Sequence, residues 1–117
     1  MPKPDFRFDA IGIVVDWIDA LKHRCLQDLL DLYASDAQAE CCDGGTFAGR
    51  EELAEYWRPR LRKTEPNAFE IIALMPENDG IWLDYIAYDG RIVRTIFRFT
   101  EQGQIRSTTC DEVRLAA

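Results

Sequence analysis

The chain has 117 residues, room for one domain of ordinary size and too few for two. At 47% hydrophobic and 30% charged it has the makeup of a folding chain rather than a disordered one, and no apolar run approaches the ~18 residues of a membrane span. Twenty-one acidic residues against fourteen basic leave a charge of −7, which phosphate backbones would repel, so neither nucleic acid nor a membrane is expected as a partner.

The opening residues, Met1 to Asp9, hold no apolar stretch of the secretory kind. A cytoplasmic location with reduced thiols is therefore expected. Cys25, Cys41, Cys42 and Cys110 follow no metal-ligand spacing, and His23 is the only histidine, so neither metal nor cofactor is expected. A bridge between the neighbours Cys41 and Cys42 would be strained.

Ile11, Val14, Val15, Ile18 and Leu21 recur at helical spacing, with Asp16, Asp19 and Lys22 between them and Asp9 placed to cap. A short second helix carries Leu26, Leu29, Leu30 and Tyr33 and ends near Ala34. Residues 37–42 alternate as a strand, and Gly44-Gly45 turns the chain into a brief second one at 46–48. Gly49 opens a third helix, with Glu51 and Glu52 in its first turn, where carboxylates suit the helix dipole. Leu53, Tyr56, Trp57 and Leu61 form its apolar face, and Pro59 should kink or end it. Arg58, Arg60, Arg62 and Lys63 read as a solvated helix end.

The remainder reads as strands over 68–75, 81–88, 91–99 and 105–113. Asp89-Gly90 signals a two-residue hairpin turn. That turn would set Tyr88 opposite Arg91, Ile86 opposite Val93, Asp84 opposite Thr95 and Trp82 opposite Phe97. The other face would carry Ile81, Leu83, Tyr85, Ala87, Ile92, Arg94, Ile96 and Arg98. With apolar residues on both faces, one should meet the helices and the other a second copy of the chain. A homodimer through Ile81, Leu83, Tyr85, Ile92 and Ile96 is the expectation, with Arg94 and Arg98 at its rim.

Three strings carry a resemblance: DWIDALKHRCLQDLLDLYASDAQAEC at 16–41, FAGREELAEYW at 47–57 and FRFTEQGQI at 97–105. They resemble the opening helices and first strand, the third helix and the last hairpin of the nuclear-transport-factor-2-like superfamily. The SnoaL-like, polyketide-cyclase-like branch is nearest, with ketosteroid isomerases as relatives. The resemblance spans about residues 9–113 of what would be one domain. It implies an α+β cone, a cystatin-like fold with three helices on the concave face of a curved, mainly antiparallel six-stranded sheet, around a small-molecule pocket. Such a fold hosts many functions.

The isomerases place a tyrosine on the first helix, an aspartate base on the first strand and a protonated acid on a late strand. The resemblance lays these positions on Trp17, Cys41 and Thr95, so none of the three groups is kept. It also turns Thr95 into the cone, and with it the hairpin partner Asp84 and the neighbours Trp82, Ile86, Val93, Phe97 and Phe99. Ala39 and Cys41 would face the interior from the first strand, Thr108 and Cys110 from the last.

A carboxylate among Trp82, Ile86, Val93 and Phe97 would be costly to desolvate and suited to acid or base work, which makes Asp84 the candidate catalytic residue. The candidate substrate-binding residues are Trp17, Cys41, Tyr56, Trp57, Trp82, Thr95, Phe97, Thr108 and Cys110. Two functions follow from the resemblance. One is a cofactor-independent lyase, isomerase or hydrolase acting by acid–base chemistry on an apolar molecule in the cone. The other is a non-catalytic ligand-binding or protein-interaction module.

Overall fold

In the structure, a computed structural model that describes residues 8–42, 44–77 and 79–113, the first helix begins where its cap predicts. This helix, α1 (Ala10–Lys22), is capped by the Asp9 carboxylate, which accepts the Gly12 amide at 2.9 Å. Ala10, Val14, Trp17, Ile18 and Leu21 are its buried face, while Ile11 turns outward. The second helix, α2 (Leu26–Asp31), is shorter than its apolar spacing predicts. Tyr33 and Ala34 belong instead to strand β1 (Tyr33–Glu40), whose pairing is irregular between Tyr33 and Gln38. That irregularity absorbs Ser35 and Asp36, which look like a helix end in the sequence but lie exposed within the strand.

Strand β2 (Thr46–Ala48) leads into α3 (Gly49–Arg62). Pro59 lies inside α3 and does not end it, although proline lacks the amide that would bond one turn back. The strands that follow are β3 (Ile71–Glu77), β4 (Gly80–Ile86), β5 (Ile92–Phe99) and β6 (Ile105–Glu112). Residues 68–70, expected as strand, lie before β3, where Phe69 sits at φ 69° in a turn.

The six strands form one curved, unclosed sheet in the order β2-β1-β6-β5-β4-β3. Every neighbouring pair is antiparallel except β1 and β6, which run parallel. The helices pack on the concave side, α1 against β4 and α3 against β1. This is the α+β architecture that the sequence predicts.

The β4–β5 register differs by one residue from the expected one, and the turn explains why. The Ala87 amide donates to the Arg91 carbonyl at 2.7 Å, and the Gly90 amide to the Ala87 carbonyl at 3.0 Å. Three residues therefore form the loop, Tyr88, Asp89 and Gly90, with Gly90 left-handed at φ 88°. A two-residue Asp-Gly turn of the primed kind would need positive φ at both positions, and Asp89 does not have it. The extra residue sets Asp84 opposite Arg94, Leu83 opposite Thr95 and Trp82 opposite Ile96.

A one-residue slip turns every side chain of a strand to the other face. Ile81, Leu83 and Tyr85 thus lie inside with Val93, Thr95 and Phe97, all buried. Trp82, Asp84 and Ile86 lie on the convex face with Ile92, Arg94 and Ile96. The expected placement of Val93, Thr95 and Phe97 inside the cone holds; that of Trp82, Asp84 and Ile86 does not.

Trp17 is the hub of the core. Its indole meets Trp57, Tyr85 and Phe97 edge-on, with ring centroids at 5.7, 5.5 and 4.9 Å. Its Nε1 donates to the Tyr33 hydroxyl at 2.9 Å. The deep part of the cone is filled by these rings.

The expectation of four reduced thiols is also corrected. Cys42 is bonded to Cys110, closing a sequence separation of 68 residues with 4.8 Å between the Cα atoms. Cys25 and Cys41 are free.

Candidate functional site

The candidate catalytic residue Asp84 does not face the cone. On the convex face its carboxylate accepts two bonds from Arg94, Nε at 2.7 Å and Nη2 at 3.0 Å. The same guanidinium lies over the Trp82 ring, 4.0 Å from its centroid. Burial of the aspartate is thus matched by a two-pronged, charge-assisted partner. The hydrogen bonds that it donates to Asp84 hold the Arg94 guanidinium above its ordinary pKa. Trp82 serves as the platform under Arg94 rather than as a wall of the interior.

What remains open inside lies at the mouth of the cone, between α3, the β4–β5 hairpin and the disulfide. Its walls are Cys42, Tyr56, Trp57, Phe69, Tyr85, Ala87, Tyr88, Arg91, Val93 and Cys110. The cavity is about 20 Å3, room for one water molecule. Of the sequence-predicted binding residues, Tyr56, Trp57 and Cys110 line it. Trp17, Thr95, Phe97 and Thr108 are buried in the core behind it. Cys41 sits just past the end of β1, partly exposed, where its sulfur accepts the Gly45 amide at 3.3 Å.

Aromatic contacts order this mouth. Tyr56 packs on Phe47 at 4.7 Å and edge-on to Trp57 at 4.9 Å. Arg60, one turn after Tyr56, lies 3.8 Å above the Tyr56 ring centroid and 5.5 Å from that of Tyr88. It also donates from Nη1 to the Tyr56 carbonyl at 2.7 Å. Arg60 therefore belongs to the mouth rather than to a solvated helix end. Arg91 on the hairpin is paired to Asp89 at 2.7 Å.

The hydroxyls here are kept neutral. Burial pushes the pKa of Tyr33 up to about 12, against the opposing hydrogen bond from the Trp17 indole and the nearby indole of Trp57. Burial likewise raises Tyr56 to about 12, with Arg60 opposing. Tyr85 is raised by burial too, against the bond from Thr95, whose Oγ1 donates to its hydroxyl at 3.2 Å. The Trp57 Nε1 is buried without a partner of hydrogen-bond geometry, although it faces the Tyr33 hydroxyl.

These shifts predict an alkaline limit to stability. Above the ordinary value of 10.0 the unfolded chain releases its tyrosine protons while the folded chain keeps those of Tyr33 and Tyr56 until about 12. The unfolded state then binds fewer protons, so stability falls with rising pH across that window and is unaffected below it. Each group contributes roughly 1.4 kcal/mol per pH unit. Denaturant titrations at about pH 8 and pH 11 check this: the loss between them should be smaller in Tyr56→Phe than in the wild type.

Sequence reasoning missed Tyr85, Tyr88 and Phe69 in the wall. Tyr85 was displaced by the register, and Phe69 by the expected strand at 68–75. One signal pointed the right way: Ile81, Leu83, Tyr85 and Ala87 form a row without charge, whereas Trp82, Asp84 and Ile86 include one.

The profile of the SnoaL-like domain matches residues 14–115. The chain belongs to the SnoaL-like domain family. A SnoaL-like protein of unknown function from Burkholderia thailandensis superposes with a TM-score of 0.82 at 23% identity, over 96% of this chain and 100% of that one. A steroid delta-isomerase from Pseudomonas aeruginosa gives 0.73 at 18% identity, over 97% and 85%. A protein of ketosteroid-isomerase-like fold from Catenulispora acidiphila, in complex with trimethylamine, gives 0.70 at 19%, over 87% and 85%. No protein of curated function matches the sequence. At these identities the likeness is one of fold.

Proposed function

We propose that this protein binds a compact, largely apolar small molecule with one hydrogen-bond acceptor, such as an aryl ketone, at the mouth of the cone. The observation that carries this reading is the wall itself: five aromatic rings, those of Tyr56, Trp57, Phe69, Tyr85 and Tyr88, line one cavity, and the Tyr85 hydroxyl, which accepts from Thr95, is the group we assign to meet the ligand's acceptor. No carboxylate or imidazole is among the described lining residues, and Asp84 is engaged with Arg94 on the opposite face. Binding therefore fits the geometry better than lyase, isomerase or hydrolase chemistry by an interior acid or base. The ligand has to make room, because the cavity holds about one water. Tyr88 and Arg91 are partly exposed at the hairpin tip and are the side chains to swing aside. The Catenulispora protein of the same fold takes trimethylamine, a ligand of similar compactness.

Acetophenone is a suitable probe. Its affinity should fall about 3- to 10-fold in Tyr85→Phe, the loss expected for one hydrogen bond of roughly 1 kcal/mol. Asp84→Asn should leave it unchanged. Equal affinity in Tyr85→Phe and a loss in Asp84→Asn would transfer the function to the convex face.

The same reading extends to a homodimer through that convex face. Its apolar residues are Met75, Trp82, Ile86, Ile92 and Ile96, not the buried Ile81, Leu83 and Tyr85. Met75 is 48% exposed. Such a row of apolar side chains is disfavoured in water, and a two-fold contact would cover it. Light scattering should give twice 13.5 kDa, and Ile96→Glu should return the mass to that of one chain; a single-chain mass for the wild type contradicts the dimer.

A further inference from the structure

The disulfide at the mouth has a third cysteine beside it. Cys42 and Cys110 are both partly exposed and both line the cavity. Cys41 is free, partly exposed and one residue away from Cys42 in the chain. The β1–β6 pairing runs Ala39 with Thr108 and Glu40 with Thr109. The strand β1 ends at Glu40, and one further step in the same register would set Cys41, not Cys42, opposite Cys110. Neighbouring strands lie about 4.8 Å apart, within the ~4.4–6.8 Å that a disulfide spans between Cα atoms. Cys110 thus has two possible partners: the one it holds, which the turn brings over it, and the one that strand register aligns with it.

We propose that Cys41, Cys42 and Cys110 form a thiol–disulfide exchange site in which Cys110 passes between Cys42 and Cys41. The Cys41 thiolate attacks the Cys110 sulfur, a Cys41–Cys110 bond forms as the Cys42–Cys110 bond breaks, and Cys42 leaves as the thiolate. The proton that Cys41 gives up to solvent is regained by Cys42. No net oxidation or reduction occurs, so no outside oxidant or reductant is required.

The exchange has a local consequence. In the present pairing Cys41 anchors the turn: its amide donates to the Gly45 carbonyl at 2.8 Å, its carbonyl accepts the Gly44 amide at 3.0 Å, and its sulfur accepts the Gly45 amide. Moving the bridge to Cys41 withdraws that sulfur from Gly45 and frees Cys42 from the cavity wall. The turn leads directly into β2, whose Phe47 supports Tyr56. The exchange would therefore reshape the mouth; this consequence, unlike the exchange itself, rests on the binding reading above.

Counting thiols tests the exchange without any ligand, so its failure leaves the binding reading standing. In Cys42→Ser the register predicts a Cys41–Cys110 bridge, leaving Cys25 as the one free thiol in unreduced, denatured protein. Three free thiols in that variant would overturn the proposal. Should the variant aggregate, the wild type decides. It is incubated with a trace of glutathione, its free thiols are blocked with iodoacetamide, and fragment ions are read across residues 41 and 42. A fraction with Cys42 blocked and Cys41 joined to Cys110 supports the exchange, whereas Cys42 joined to Cys110 in every molecule overturns it.

Discussion

Trp17→Ala should remove about 4 kcal/mol of folding stability, close to the upper end for a single core substitution. The indole is 1% exposed and touches three aromatic rings from α3, β4 and β5. Its removal leaves a cavity where α1 and α3 meet β4 and β5, and it leaves the Tyr33 hydroxyl without its donor. An unpaired buried hydroxyl adds roughly 1 kcal/mol to the cavity cost. Domains of this size hold on the order of 5–15 kcal/mol in total, so the variant should be marginal at room temperature. Trp17→Phe keeps most of the packing and loses the N–H, and should cost about half as much. Urea titration checks both. A Trp17→Ala protein within about 1 kcal/mol of wild type would mean that the rings repack around the gap and that Trp17 is not the hub.

Cys110→Ser should bring the second largest loss. The bridge closes a separation of 68 residues, for which the chain-entropy relation gives about 4 kcal/mol. That figure is an upper value, because residual structure in the unfolded chain lowers it. Cys110 is the partner common to both pairings, so its loss removes the cross-link altogether, whereas Cys42→Ser should lose much less if Cys41 takes over. Reducing the wild type with dithiothreitol should reproduce the Cys110→Ser stability. Identical denaturation midpoints for oxidised wild type, reduced wild type and Cys110→Ser would show that the bridge does not hold the mouth together.

The architecture was legible because several signals agreed. Asp9 capped the first helix, the apolar spacing of Leu53, Trp57 and Leu61 marked the third, and the late strands alternated between turn residues. The site was less legible, and the reason is a single turn. Asp89-Gly90 is consistent with a two-residue or a three-residue loop, and the choice exchanges the two faces of β4 against β5. An energetic argument favoured the observed choice. The two-residue register sets Asp84 against Thr95 in an apolar interior, while the three-residue register gives it Arg94 on a wetter face. The disulfide was illegible for another reason. Its partners are 68 residues apart, and only the parallel β1–β6 pairing brings them together. The displaced strand start at Tyr33 came from a strand irregularity that periodicity does not register.

The central claim is that ligand meets this protein at the mouth and not on the convex face, and the three tryptophans report on it separately. Trp57 lines the cavity, Trp17 lies behind it in the core, and Trp82 sits under Arg94 on the far side of the sheet. Each gives its own indole N–H resonance, so one nitrogen–proton correlation titration with acetophenone resolves the three positions. The Trp57 signal should shift progressively with ligand, together with the Tyr88 and Cys110 amides, while that of Trp82 stays in place. A shifting Trp82 signal beside a stationary Trp57 would contradict the account.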